Sequence, residues 1–183
     1  MSTKRICGVR VPLLRAACLA LAPIVSFGQQ AALAPNHVVV DERLHTSGQP
    51  EAAMLGTLAA QGFDTVVNLA PATVTSAVPN EGEVLTASGV SYVHIPVDFR
   101  NPTYADFERF SAALERDRTG QVLVHCQVNA RASTFTFLYR VVHEQAPPDE
   151  AYALVKQVWT PNEQWTRFAE DVLGRHGVEF ELQ

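Results

Sequence analysis

The chain has 183 residues, with 14 Lys and Arg against 19 Asp and Glu, which gives a formal net charge of −5 at pH 7. No segment concentrates basic residues on one face. This acidity argues against DNA, RNA and anionic membrane surfaces as partners.

The N-terminal segment has the composition of a secretory signal peptide. Four basic residues precede an apolar run, Ala16 to Phe27, that is too short to span a bilayer. Ser26 and Gly28 place small residues at a cleavage site, and no acidic residue occurs before Asp41. An uncleaved N-terminal anchor is the alternative. Cleavage would send the protein to the periplasm or the exterior.

We therefore expect a signal peptide at residues 1–28, a short mature tail at 29–36 and one domain at 37–183. Removal of the first 28 residues would leave about 155 residues, enough for a substantial core, and a net charge of −9. No later segment is long and apolar enough for a membrane-spanning helix, so we expect no integral membrane segment in the mature chain.

Strands and helices are predicted to alternate along this domain. The predicted strands span residues 37–41, 43–46, 64–69, 91–95 and 121–125. The predicted helices span residues 51–61, 80 to about 89, 103 to about 120, 131–145 and 149–159, with another beginning at 160. Gly62 is expected to end the first helix, and Asn80, Thr103 and Thr160 to cap three others. The order predicts a three-layer α/β domain with a mainly parallel sheet flanked by helices.

A cysteine and an arginine flank the loop after the last predicted strand. The strand ends at His125, Cys126 follows, and Arg131 stands at the start of the next helix after four intervening residues. Loop N–H groups and a helix N-terminus favour an anion and the thiolate form of a cysteine at this point. An arginine adds a planar fork for two oxygens. The pattern predicts covalent cysteine chemistry on an oxyanion, although a buried cysteine beside an ordinary arginine is the simpler alternative.

The cysteine count supports a chemical role for Cys126. The other two cysteines, Cys7 and Cys18, lie in the predicted signal peptide. Exported domains normally pair their cysteines as disulfides, so a single thiol should be either buried or used in chemistry.

The sequence does not predict a metal or cofactor site. The five histidines other than His125 show no metal-ligand spacing, and no glycine-rich nucleotide loop occurs, so we expect neither a metal site nor a cofactor.

From about His37 to His176 the chain resembles the cysteine-dependent dual-specificity phosphatases. It resembles more closely the phosphatase-like domain of bacterial beta-lactamase-hydrolase-like proteins. The resemblance rests on residues Thr46-Ser47-Gly48-Gln49-Pro50, Val66-Val67-Asn68-Leu69, His94-Ile95-Pro96-Val97-Asp98 and His125 to Arg131. It implies a dual-specificity phosphatase-like fold, a nucleophile at Cys126, an oxyanion clamp at Arg131 and a leaving-group acid in an upstream loop.

The loop departs from the familiar phosphatase pattern in two respects. It has four residues between cysteine and arginine instead of five, and it contains no glycine. We expect Asn129 to adopt the left-handed conformation in place of a glycine. The residues expected to line the substrate are Gln127, Val128, Asn129, Ala130 and Ser133. The resembled beta-lactamase-hydrolase-like group has this shorter loop, and so do rhodaneses, which carry a sulfur atom on their cysteine.

Asp98 is the predicted general acid. It follows the 91–95 strand, whose exit should face the same sheet edge as Cys126. A turn before Asn101 is its alternative role, and Asp106 is a second candidate acid that suits a helix cap better. The resemblance implies that the Ser133 hydroxyl assists the thiolate as a leaving group, whereas a serine bonded to the backbone is equally expected. His125 is expected to orient the loop.

We therefore expect an exported hydrolase of phosphate monoesters that forms a phosphocysteine on Cys126. Its substrate would be a phosphorylated protein or a small phosphate ester. Two alternatives stay open at this point. One is a rhodanese-like sulfurtransferase with a persulfide on Cys126, and the other is a non-catalytic module that binds anions. The length of the loop does not by itself decide between phosphoryl and sulfur transfer.

Overall fold

The structure is a computed structural model, and it describes residues 33–116 and 118–183. The predicted signal peptide lies outside the described residues. So do residues 29–32, the first half of the predicted tail.

Five strands form a single mixed sheet. They are β1 (Val38–Val39), β2 (Leu44–Ser47), β3 (Phe63–Asn68), β4 (Ser91–His94) and β5 (Gln121–His125). Their order across the sheet is β1-β2-β5-β3-β4, with only β1 antiparallel to its neighbour. The strand β5 lies at the centre, and its apolar run is buried on both faces, as expected for a parallel strand covered by helices on each side.

Helices cover both faces of the sheet. They are α1 (Ala52–Leu55), α2 (Glu81–Ala87), α3 (Tyr104–Glu115), α4 (Ala130–His143), α5 (Pro148–Lys156) and α6 (Glu163–Arg175). Side chains alternate along each strand. Leu123 therefore packs with residues of α1 and α2, whereas Val122 and Val124 pack with residues of α3 to α6. The predicted three-layer α/β architecture is confirmed.

The first predicted helix is shorter than expected. It consists of α1 and a separate 3₁₀ turn at Ala59–Gln61, and Gly62 ends that turn in the left-handed conformation at φ 95°. Gly56 closes α1 after four residues. Apolar spacing alone did not reveal this break, because Leu55 at the end of α1 and Leu58, just before the 3₁₀ turn, are buried in the same apolar cluster.

Only one of the three predicted caps is correct. Thr103 and Asp106 form a reciprocal capping box at the start of α3. Asn80 precedes α2 but makes no capping hydrogen bond, because its backbone is left-handed (φ 58°) and not extended as a capping residue requires. At α6 the cap is Asn162, whose side chain accepts from the backbone N–H of Trp165, so the prediction of Thr160 was wrong. None of the described helices is long and apolar enough to cross a membrane.

Candidate active site

Cys126 lies at the carboxyl end of the central strand, where β2, β5 and β3 meet. It is fully buried. Its backbone N–H donates to the carbonyl of Ser47 at 3.2 Å, and the carbonyl of His125 accepts from the N–H of Leu69 at 2.8 Å. The neighbouring strands therefore fix the backbone on which the candidate nucleophile is carried.

The loop after Cys126 leaves a set of backbone donors without protein partners. Asn129 has φ 73°, the left-handed conformation predicted for it, and α4 begins at the next residue. The first N–H of this helix to bond a carbonyl is that of Ser133, which donates to Asn129 at 2.9 Å. Within the described chain, no N–H from Gln127 to Ala132 makes a hydrogen bond of good geometry to a protein acceptor, although Gly48 and Val128 form an isolated antiparallel bridge. Free donors at a helix N-terminus favour a bound anion.

Arg131 lies in the first turn of α4, and its side chain is held through the Nε atom. Its Nε donates to the carbonyl of Val97 at 3.0 Å, and its guanidinium carbon lies 5.1 Å from the centre of the Phe99 ring. The side chain is 6% exposed. Its two terminal nitrogens make no hydrogen bond within the described residues, so they are available to two oxygens of one anion.

Asp98 stands between the two residues that hold Arg131, which places its loop beside the candidate oxyanion site. The side chain is exposed. Its Oδ1 accepts from the backbone N–H of Arg100 at 2.9 Å, and its carbonyl accepts from Asn101 at 3.1 Å. The carboxylate thus closes a turn in this structure, and its role as the general acid stays a prediction. Asp106, the second candidate acid, is occupied in the helix cap of α3.

The Ser133 hydroxyl bonds to the helix backbone. It donates to the carbonyl of Ala130 at 3.2 Å, and the Thr134 hydroxyl donates to the same carbonyl at 2.9 Å. Ser133 is buried in the first turn of α4. Its hydroxyl would have to turn away from this carbonyl before it could assist the thiolate.

A buried carboxylate beneath the loop was missed by the sequence analysis. Glu81 is 5% exposed, and its Oε2 accepts from Gln49 Nε2 at 3.2 Å and from Asn68 Nδ2 at 3.1 Å. His125 Nε2 lies 2.7 Å from the other oxygen, Oε1, at ion-pair distance but without the alignment of a hydrogen bond. This cluster surrounds His125, the residue before Cys126, and is consistent with an orienting role for its ring.

One sequence signal pointed toward this cluster. Asn68 is a polar residue at the end of an otherwise apolar strand, and buried amides need partners. Gln49 lies in one of the motifs on which the family resemblance rests. Its backbone N–H also donates to the carbonyl of Gln127, in the loop after Cys126, at 3.2 Å. Nothing in the local sequence marks Glu81, whose partners come from three separate elements.

Comparison with known proteins agrees with this geometry. The family model described as "Beta-lactamase hydrolase-like protein, phosphatase-like domain" matches residues 36–141. The Beta-lactamase hydrolase-like protein of Xylella fastidiosa (strain Temecula1 / ATCC 700964) is 33% identical over 120 residues, which are 64% of this chain and 28% of that protein. The match thus covers little more than a quarter of that relative's length.

Two solved structures extend the comparison. A candidate phosphatase (DUF442) from Shewanella putrefaciens CN-32 has a TM-score of 0.71 at 33% identity, covering 78% of this chain and 93% of that one. Tk-PTP in its active form has a TM-score of 0.61 at 23% identity, covering 78% and 96%, and shares the fold. The chain belongs to the family of phosphatase-like domains found in beta-lactamase hydrolase-like proteins.

Proposed function

We propose that the protein hydrolyses phosphate monoesters with Cys126 as the nucleophile. One observation carries this proposal. The buried thiol, the unpaired loop N–H groups and the free end of the Arg131 guanidinium lie on one loop at the carboxyl edge of the sheet. The family assignment and a phosphatase-like neighbour above 30% identity support it.

In the first step the Cys126 thiolate attacks phosphorus, and the bond from phosphorus to the ester oxygen breaks. Arg131 and the loop N–H groups bind the three non-bridging oxygens, whose charge is greatest in the transition state. Asp98 donates a proton to the departing oxygen. This requires its carboxyl group to leave the turn that it forms with the N–H of Arg100.

In the second step water attacks the phosphocysteine. Asp98, now ionised, accepts a proton from the water, and the sulfur–phosphorus bond breaks to release phosphate and the thiolate. The proposed substrates are phosphorylated proteins or small phosphate esters. The predicted signal peptide supports export to the periplasm or beyond, where the reaction would take place.

Sulfur transfer is the second candidate, because the four-residue loop is shorter than that of familiar phosphatases. A persulfide on Cys126 needs less room than a phosphoryl group. Two features favour phosphoryl transfer. The short loop is a feature of the family to which the chain belongs, and Asp98 beside Arg131 supplies a proton donor for which sulfur transfer has no use.

A single comparison tests both reactions. The wild-type protein should hydrolyse p-nitrophenyl phosphate and be inhibited competitively by vanadate, which mimics five-coordinate phosphorus. Cys126→Ser should lack this activity while keeping its circular dichroism spectrum, because a hydroxyl is a much weaker nucleophile than a thiolate.

Incubation with thiosulfate should leave the mass of the Cys126 peptide unchanged. Sulfur transfer would instead add about 32 Da as a persulfide, which cyanide would remove as thiocyanate. Thiosulfate turnover without phosphatase activity would replace the proposal with the sulfurtransferase. Hydrolysis by Cys126→Ser at the wild-type rate would rule out the phosphocysteine.

A further inference from the structure

The end of the predicted tail packs against the domain, next to the catalytic loop. Leu33 and Ala34 are buried, and Leu33 packs in the apolar cluster that contains Leu55 and Leu58. The segment Leu33–Asn36 thus contributes to the core on one face of the sheet. We call this segment the N-terminal strap.

Three hydrogen bonds connect the strap to the catalytic loop and to the end of β2. Asn36 Nδ2 donates to the carbonyl of Val128 at 3.0 Å, and Asn129 Nδ2 donates to the carbonyl of Asn36 at 2.6 Å. The N–H of Gly48 donates to the carbonyl of Pro35 at 2.7 Å. The strap and the loop are therefore bonded in both directions through a pair of asparagines.

These contacts determine which way the loop N–H groups face. In a trans peptide the carbonyl oxygen and the following N–H point in opposite directions. Because the Val128 carbonyl is bound by Asn36, the Asn129 N–H faces away from the strap. The Gln127 carbonyl is bound by the N–H of Gln49 in the same manner, so the Val128 N–H faces away from that side.

Other contacts of the loop also come from residues outside it: Asn129 Nδ2 donates to Thr46 Oγ1 at 3.1 Å, and Val128 forms an isolated antiparallel bridge with Gly48. The loop contains no glycine, its left-handed residue is Asn129, and Val128 is 51% exposed. Gly48 allows the close approach, since a Cβ on it would lie 3.0 Å from the Pro35 oxygen and 3.1 Å from the Gln127 oxygen. A short loop without glycines thus relies on groups outside it for its conformation.

We propose that Asn36 is a positioning residue, which holds the loop carbonyls outward so that the loop N–H groups converge on the bound anion. The inference deepens the proposed function and rests on it for its effect on catalysis. Asn36 acts through Val128 and Asn129 and does not itself touch the substrate. The strap would therefore be part of the catalytic unit.

The test uses the full chain and the substitution Asn36→Gly. Asn36 has φ 52°, which glycine adopts without strain, so this variant loses the side-chain donor and keeps the backbone carbonyl that Asn129 binds. The matched control is Asn80→Gly. Asn80 has φ 58° and its side chain makes no capping hydrogen bond, so the same substitution is made at the same backbone conformation.

Two readouts are compared for the variants. The first is the kcat and KM for p-nitrophenyl phosphate. We expect kcat to fall about tenfold in Asn36→Gly, the effect of one hydrogen bond on the transition state, with a smaller change in KM. The second is amide hydrogen exchange of Gln49, measured by NMR. Exchange should be faster in Asn36→Gly, because loss of the bond to the Val128 carbonyl loosens the loop that carries the acceptor of the Gln49 N–H, the Gln127 carbonyl. Neither readout should change in Asn80→Gly.

The exchange measurement does not depend on activity, which separates the two proposals. If the wild type does not hydrolyse phosphate esters while Gln49 exchange still responds to Asn36→Gly, the proposed function fails and the positioning of the loop stands. If the wild type is active and Asn36→Gly matches it within twofold in both kcat and Gln49 exchange, the role of Asn36 is refuted. Equal losses of kcat in Asn36→Gly and Asn80→Gly would also refute the role of Asn36.

Discussion

The loop after Cys126, which forms the proposed oxyanion site, and the loop that carries Asp98, the proposed acid, are held in different ways. The catalytic loop is bonded to its surroundings through the carbonyls of Gln127 and Val128, which accept hydrogen bonds from Gln49 and Asn36. The carboxylate of Asp98 is exposed, and it accepts a hydrogen bond from the N–H of Arg100, two residues away in its own loop.

The base of the Asp98 loop is nevertheless anchored. Trp165 Nε1 donates to the carbonyl of Phe99 at 2.9 Å, and the Phe99 ring packs against those of Trp159 and Trp165. The backbone next to Asp98 is therefore anchored, whereas the Asp98 side chain is exposed. The comparison indicates that the fold fixes the loop of the proposed oxyanion site, while the proposed proton donor, Asp98, would have to rotate out of its turn before it could act.

The largest effect should come from a substitution in the proposed oxyanion site. Arg131→Lys removes the fork that binds two oxygens, and a lysine cannot also donate to the Val97 carbonyl from the middle of its side chain. We expect kcat/KM for p-nitrophenyl phosphate to fall about 10²–10³-fold. The control is Arg175→Lys, at an exposed arginine near the end of α6 that pairs with Asp171. Activity of Arg131→Lys within threefold of the wild type would contradict a fixed bidentate clamp.

An intermediate effect is expected from Asp98→Asn, and its size should depend on the substrate. An amide can still accept the Arg100 N–H and close the turn, but it cannot donate a proton as a carboxylic acid does. We expect hydrolysis of an alkyl phosphate to slow by about 10²-fold or more, while p-nitrophenyl phosphate, whose leaving group needs little protonation, slows much less.

Asp41 provides a matched control for this turn. Its Oδ1 accepts from the N–H of Arg43, two residues on, at 2.8 Å, the same arrangement as in Asp98 and Arg100. Asp41→Asn should leave both substrates unaffected. If Asp98→Asn slows the two substrates equally, Asp98 serves the turn and not proton transfer.

The smallest expected effect concerns the stability of the fold in acid. It has to be known before the pH dependence of activity is compared between variants of the two loops. Burial lowers the pKa of His143, near the end of α4 and away from the site, below its usual 6.5. The unfolded chain then binds the proton more readily, so stability is fully present above about pH 6.5 and is lost as pH falls through the window below it. His143→Gln should reduce the drop in melting temperature between pH 7 and pH 5, measured by calorimetry. An unchanged drop would show that other groups dominate.

Part of the site was predictable because it depends on local sequence. The apolar run of β5, the cysteine after it and the arginine in the next helix lie within a few residues of one another, and their order follows from strand–loop–helix geometry. Asn129 was the expected left-handed residue of a loop without glycine, since its short polar side chain tolerates that conformation, and its φ of 73° confirms it.

Contacts between distant segments could not be predicted in this way. Glu81, Asn68 and His125 come from α2, β3 and β5, and only the parallel pairing of strands brings them together. The caps of α2 and α6 were mispredicted because a capping motif describes only a preference. Asn80 is left-handed and makes no cap, and at α6 the extended Asn162 caps the helix in place of Thr160.

The sequence by itself determined the layer architecture and the identity of the candidate nucleophile and clamp, because hydrophobic periodicity and a compact motif are local properties. Only the tertiary structure decided how the catalytic loop is held. Asn36 and Asn129 are bonded although 93 positions apart, and Arg131 is fixed by a carbonyl 34 positions earlier. Such contacts form because packing of the core brings the ends of separate strands to one edge of the sheet, which no local pattern records.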